Sequence, residues 1–282
     1  MFIVYAVVAA LSPLRLFAAA MFPGLMLAGL YIIYVIVAAS LNPKLAPKPK
    51  LSEIPPRAKI YKDLAVSFLP LFLIIALVLG TILGGLATAS EAAAVGAVGA
   101  IGLAFFYKTM NWNMFKDSVY LTARTSTMII WLFVGSSSFA SVFAYLGGQD
   151  IFEAFFKSLN LQPWQFLIIT QIIIFVLGWP LEWTEIIIIF VPIFLPLVKF
   201  YGIDPYFFGI LIGLNLQTSF LSPPMAMAAF YLKGVQGDKV SLKEIFKGGY
   251  PFIYLVIFSM VLLYNFQGLS TWLPTYLFGQ GG

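Results

Sequence analysis

The chain has neither histidine nor cysteine among its 282 residues, and only 10% of them are charged. Without histidine, imidazole metal ligands, histidine general bases and Ser–His nucleophile pairs are excluded. Without cysteine, disulfides, thiolate metal sites and acyl-cysteine chemistry are excluded. A soluble domain carries roughly 25% charged residues, so too few polar groups are present here to cover a water-facing surface. A basic n-region is missing as well: MFIVYAVVAALSPLRLFAAA runs from one apolar stretch into the next and does not read as a cleavable signal peptide.

What the chain does have is hydrophobic residues, 61% of the total, with a mean hydropathy of +0.98. Long apolar runs between short charged patches read as an all-α polytopic membrane protein. The net charge of +5 then reports topology rather than affinity for nucleic acid. The apolar segments fall at 2–11, 16–40, 64–86, 91–107, 119–146, 163–178, 183–200, 205–217, 224–232 and 248–266. About 20 residues span the hydrocarbon, so 16–40, 64–86, 119–146 and 248–266 qualify alone. The small-residue segment 91–107 reads as a tightly packed interior helix. Segments 163–178 and 183–200 are short and separated by a break, as are 205–217 and 224–232. These are the candidates for interrupted helices.

The proline-rich linker with Lys44, Lys48, Lys50, Arg57, Lys59 and Lys62, against Glu53 and Asp63, reads as an extended cytoplasmic loop. Lys108 and Lys116 form the next basic patch, and Lys233, Lys239, Lys243 and Lys247 the last. Parity then makes 205–232 one broken crossing and returns 163–200 to its starting side, either as a re-entrant hairpin or as two full spans. The short halves favour the hairpin. The stripe Ile151, Phe152, Phe155, Phe156 and Leu159 reads as an amphipathic helix, in the membrane interface or packed on the bundle.

One internal repeat is visible. Ser12, Phe17 and Pro23 precede one apolar run, and Ser241, Phe246 and Pro251 another, in opposite predicted orientations. That is the pattern of an inverted-topology transporter repeat. The second copy follows a broken helix whose counterpart before the first copy is not in the sequence, so the chain reads as N-terminally incomplete.

Two constellations carry chemistry. In Gly178-Trp179-Pro180-Leu181-Glu182-Trp183-Thr184-Glu185, glycine and proline end one helix and start another. The freed backbone groups need partners in hydrocarbon. Carbonyl ends with a carboxylate suit a desolvated Na⁺, and amide ends suit an anion. Burying an acid at mid-membrane costs about 2.5–3.5 kcal/mol, which argues for a functional Glu182; the alternative is an extramembrane turn. In Asn215-Leu216-Gln217-Thr218-Ser219-Phe220-Leu221-Ser222-Pro223-Pro224, the prolines break the helix. Asn215, Gln217, Thr218, Ser219 and Ser222 then bring oxygen and amide groups to the break. A proline kink with self-bonded side chains is the alternative. Glu91 reads as a helix cap with Thr88, and Gly135-Ser136-Ser137-Ser138 as small-residue helix packing rather than a bend. No P-loop, HExxH or GxSxG is present.

At GLATASEAAAVGAVGA (85–100), GWPLEWTEIIIIFVPIFLPLVKFYGIDPYFFG (178–209) and NLQTSFLSPPMAMAAFYLKGV (215–235), the sequence resembles the large membrane subunit of TRAP (tripartite ATP-independent periplasmic) transporters. The last two stretches look most like the mannitol or chloroaromatic-compound subgroup. The resemblance implies an elevator-type, Na⁺-coupled organic-acid importer of the bacterial inner membrane. Its partners would be a periplasmic substrate-binding protein and a small four-helix membrane (Q) subunit, and it would need no cofactor beyond Na⁺. It further implies this division: the end of a first repeat (1–40), a cytoplasmic linker (41–63), scaffold-type spans (64–147), an interfacial helix (148–162), a re-entrant hairpin (163–201), a broken helix (202–235), and a final span with tail (236–282).

By motif position, Gly178, Glu182 and Thr184 belong to the hairpin tip, and Asn215, Thr218, Ser219, Ser222, Pro223 and Pro224 to the broken helix. Pro180 and Gln217, from the chemistry of the two breaks, complete the candidate binding residues. Gly178, Glu182, Thr184, Thr218 and Ser222 are the Na⁺ candidates. Departures from the family pattern are Glu182 where Asp is usual, Ala89 for a usual Pro, and Met225-Ala226 where an aromatic-Gly is common. A split half acting only as a scaffold beside another chain is the second reading, and an intramembrane enzyme using Glu182 and Glu185 the third.

Overall fold

Apolar runs punctuated by proline, glycine and capping residues fold here as helices alone. The computed structural model describes residues 1–44, 46–47, 54–224, 226–236 and 240–279, the Gln149 side chain excepted, and every regular element among them is helical. In chain order these are α1 (Phe2–Val8), α2 (Pro13–Leu41), α3 (Arg57–Ser67), α4 (Leu69–Leu83), α5 (Ala89–Phe106), α6 (Trp112–Tyr145), α7 (Gly148–Ser158) and α8 (Pro163–Leu177). After them come α9 (Trp183–Glu185), a π-helical segment Ile186–Phe190, α10 (Val191–Phe200), α11 (Pro205–Leu221), α12 (Met227–Gln236), α13 (Leu242–Asn265) and α14 (Gly268–Phe278).

Among the described residues, six stretches are long and apolar enough to cross a membrane: Pro13–Leu41, Arg57–Leu83, Ala89–Phe106, Trp112–Tyr145, Trp183–Phe200 and Leu242–Asn265. The fold is therefore all-α and polytopic. Helices α8 and α11 have 15 and 17 residues. At about 1.5 Å per residue both fall short of the roughly 30 Å hydrocarbon thickness.

The chain divides into two units, Ile33–Ser126 and Met1–Ile32 with Thr127–Gly282. In the first unit, the basic linker departs from expectation. Pro56 is extended (φ −54°, ψ 143°) and α3 starts at Arg57, so Arg57, Lys59, Lys62 and Asp63 are helical. Pro55-Pro56 holds the backbone extended and no later proline opposes helix until Pro70. Lys48, Lys50 and Glu53 lie outside the described residues, as do Met225 and Lys239. Helix α5 packs on α4 through its glycines: a Cβ at Gly96 would meet Val78 Cγ2 at 3.1 Å, and one at Gly99 Ile74 Cδ1 at 3.2 Å. The Tyr107 hydroxyl donates to the Val66 carbonyl. Only Ala92 of α5 is buried, so this helix is not the interior one expected; small residues bring α4 close on one face and leave the others uncovered. Thr88 and Glu91 form a capping box, with Thr88 N donating to Glu91 Oε2 at 2.7 Å and Glu91 N to Thr88 Oγ1 at 3.3 Å. Helix α6, whose residues from Thr127 on belong to the second unit, runs without a break through Gly135–Ser138, and Ser138 Oγ donates to the Val134 carbonyl at 2.9 Å.

In the second unit, α11 is buried along almost its whole length. Helix α1 lies against it: a Cβ at Gly209 would sit 2.4 Å from Tyr5 Cε1, and one at Gly213 2.5 Å from Phe2 Cε1. The Tyr5 hydroxyl donates to the Pro205 carbonyl at 2.7 Å. The stripe of α7 is divided. Phe152 packs tilted on Phe194 and Phe156 edge-on to Phe166, whereas Ile151 and Phe155 stay exposed. The two serines of the internal repeat both stand immediately before a helix, Ser12 before α2 and Ser241 before α13, and each helix carries its proline in the interior, Pro23 and Pro251.

Candidate functional site

Helix α8 ends at Leu177. Gly178 caps it, its N–H donating to the Ile174 carbonyl at 2.9 Å, and the chain turns through Trp179, Pro180 and Leu181. The next helix starts at Trp183, where the Glu185 carboxylate accepts from Glu182 N–H at 2.5 Å. Glu185 is thus engaged as a cap, while Glu182, half-buried, keeps its own carboxylate beside Thr184. The π-helical turn Ile186–Phe190 follows directly, leading into Pro192, which has no N–H to donate.

Helix α11 ends at Leu221, three residues after Thr218. Ser222 leaves helical geometry (φ −103°, ψ 141°) with its N–H still on the Thr218 carbonyl at 2.9 Å. Pro223 and Pro224 are exposed, and the chain becomes helical again at Met227.

The two interruptions touch. A Cβ on Gly178 would lie 2.1 Å from Ser219 Oγ, so only glycine fits the approach. Farther down the same two helices, Asn215 Nδ2 donates to the Gln171 carbonyl at 2.7 Å and to Gln171 Oε1 at 2.9 Å. Gln171 precedes Gly178 on α8 as Asn215 precedes Ser219 on α11, so the helices run in the same sense and end side by side. Each end leaves carbonyls without intrahelical partners, and the two partial negative charges converge.

Beside these ends lie polar atoms with no outlet. Thr184 Oγ1, Ser219 Oγ and Ser222 Oγ are buried without a hydrogen-bond partner among the described residues. A cavity of about 10 Å³ between Leu181, Glu182, Trp183, Ser219, Phe220 and Met227 separates tip from broken helix, near the least volume that holds one water-sized species. A larger cavity of about 380 Å³ opens on the other flank, between Phe175, Trp179, Ser222, Pro223, Tyr250 and Tyr254.

The structure therefore gathers Gly178, Glu182, Thr184, Ser219 and Ser222 at one place, with Pro180, Pro223 and Pro224 forming the exposed turns around it. Thr218 is adjacent, its hydroxyl donating to the Asn215 carbonyl at 2.7 Å and its lone pairs still able to accept. Asn215 is elsewhere, committed to Gln171, and neither it nor Gln217 lines the two cavities at the breaks. Sequence reasoning missed Gln171. Its one signal was an amide inside the apolar run of α8.

Residues 1–269 match the family model of the tripartite ATP-independent periplasmic transporter, DctM component. The chain is 28% identical over 276 residues to the C4-dicarboxylate TRAP transporter large permease protein DctM of Pseudomonas aeruginosa, covering 98% of this chain and 63% of that protein. It is 26% identical over 281 residues to the sialic acid TRAP transporter large permease protein SiaM of Vibrio cholerae, covering 99% and 64%. It is 26% identical over 267 residues to the 2,3-diketo-L-gulonate TRAP transporter large permease protein YiaN of Escherichia coli, covering 94% and 60%. The chain spans less than two thirds of the length of these relatives. These are transporter permeases, not enzymes, and with nearly the whole chain matched it belongs to the DctM component family of tripartite ATP-independent periplasmic transporters.

Proposed function

We infer that the chain forms the translocating part of a Na⁺-coupled importer of organic acids in the bacterial inner membrane, working with a periplasmic substrate-binding protein and a small four-helix membrane subunit. The observation that carries this reading is the meeting of two helix carbonyl ends at Gly178 and Ser222 beside three buried, unpartnered hydroxyls, Thr184, Ser219 and Ser222. A hard, dehydrated cation takes oxygen ligands and favours the negative ends of helices. A carboxylate at Glu182 would complete its neutralisation. The relatives' names concern organic acids, which supports a carboxylate as the transported class.

In this reading α8, the tip and the Trp183–Phe200 arm form a re-entrant hairpin, α11 and α12 form the broken helix of an inverted repeat, and both move together as an elevator. Each Na⁺ carried down the membrane potential contributes about 2.3 kcal/mol per 100 mV. The test is uptake by the complete complex with its binding protein in proteoliposomes, with Na⁺ replaced by choline. Uptake should fall to background; undiminished uptake removes the coupling.

A further inference from the structure

Below the tip, α8 and α11 are joined by an amide pair whose orientation is fully determined. Asn215, 2% exposed, faces the main-chain carbonyl of Gln171, which only accepts, so its NH₂ must point there. The second hydrogen of that NH₂ then requires the side-chain oxygen of Gln171 at 2.9 Å. Both Asn215 donors are therefore committed to α8. From Asn215 the bonding continues upward: Thr218 Oγ1 donates to the Asn215 carbonyl, and Ser222 N–H to the Thr218 carbonyl. On the α8 side, Gly178 N–H closes on Ile174, three residues past Gln171.

We propose that Gln171 and Asn215 are positioning residues that set the axial register of α8 against α11, so that the carbonyl ends at Gly178 and Ser222 stand level. Its functional consequence rests on the cation reading above. The surfaces around the pair are apolar (Leu167, Ile174, Leu211 and Leu214 among the buried residues), and apolar surfaces tolerate sliding. A single buried polar pair does not: with Gln171 Nε2 already lacking a partner, a slip would also strip both Asn215 donors of their acceptors in hydrocarbon. A slip of one turn would separate the ends by about 5.4 Å and dissolve the oxygen cluster.

The chain's lack of cysteine gives a clean background for the test. Spin labels at I172C on α8 and F258C on α13, the helix packed along α11, both exposed, report the position of α8 against the α11–α13 pair by pulsed EPR in the full chain in nanodiscs. Uptake by the complete complex reports Na⁺ dependence. Asn215→Leu should broaden the distance distribution and raise the half-saturating Na⁺ concentration about tenfold, with substrate KM at saturating Na⁺ unchanged. Combining it with Gln171→Leu should restore a narrow distribution and most of the Na⁺ affinity, since both polar partners are then removed. A ligand role for Asn215 predicts no such rescue, and a double variant no better than the single one overturns the proposal. So does an unchanged distribution in Asn215→Leu or, if that variant does not fold, in Gln171→Leu alone. If the labels shift and recover as expected while wild-type uptake ignores Na⁺, the register role stands and the cation reading fails.

Discussion

Gly178 and Ser219 approach so closely that a methyl group on the first would overlap the hydroxyl of the second, at 2.1 Å. The glycine has ordinary helical torsions (φ −64°, ψ −11°), so space rather than backbone freedom dictates the residue. Through this contact the end of one helix rests on the last turn of another, 41 residues later in the chain.

Gly178→Ala should therefore unseat the tip. Overpacking of this kind costs about 1–3 kcal/mol, and the full chain in detergent should show a lower thermal midpoint with a loss of Na⁺-dependent uptake in the complex. Adding Ser219→Ala replaces the 2.1 Å clash with a 3.3 Å contact to Ser219 Cβ and should recover much of the stability.

Ser222→Ala deletes a buried hydroxyl with no partner, so folding should be unharmed or slightly improved. Uptake should nonetheless fall, with a higher Na⁺ requirement. Glu182→Ala should also lower uptake while leaving membrane insertion intact. Unchanged Na⁺ dependence in both variants would take them out of the ion site.

Thr88→Ala provides the converse case. It removes the capping box at the start of α5 and should cost about 1 kcal/mol of stability. Half-saturation by Na⁺ should not move, since both Thr88 oxygen contacts are spent within the capping box.

Tyr5→Phe should cost about 0.5–1.5 kcal/mol, because the Pro205 carbonyl loses the hydroxyl that bonds it at 2.7 Å. Gly209→Ala should cost more. Its new methyl meets the edge of the Tyr5 ring at 2.4 Å, and a fully buried ring has nowhere to retreat. Thermal unfolding of the two variants side by side ranks them.

Local signals carried most of the fold. The helix starting after Thr88 and the one after Ser241 are announced by Thr-x-x-Glu and Ser-x-x-Glu, and the structure forms both boxes. The ends at Gly178 and Ser222 follow from Gly-Trp-Pro and Ser-Pro-Pro, because a missing N–H acts on its immediate neighbours. Where the sequence stops short, distance along the chain is the cause. Nothing near Asn215 says that its NH₂ is used by Gln171, 44 residues earlier. The early start of α3 at Arg57 was hidden because Lys and Arg were read for topology, though both are good helix formers. The π-helical turn at Ile186–Phe190 is equally invisible, because a run of isoleucines contains no hint of it.

Helices α8 and α11 terminate next to one another, each end equivalent to roughly half an elementary negative charge. Like poles held together in a weakly polarisable medium repel, and the Gln171–Asn215 hydrogen bonds with the side-chain packing around them must contain that repulsion. The seam should thus exchange its amide hydrogens fastest in choline and slow down as Na⁺ is added, making ion occupancy the clasp of this joint.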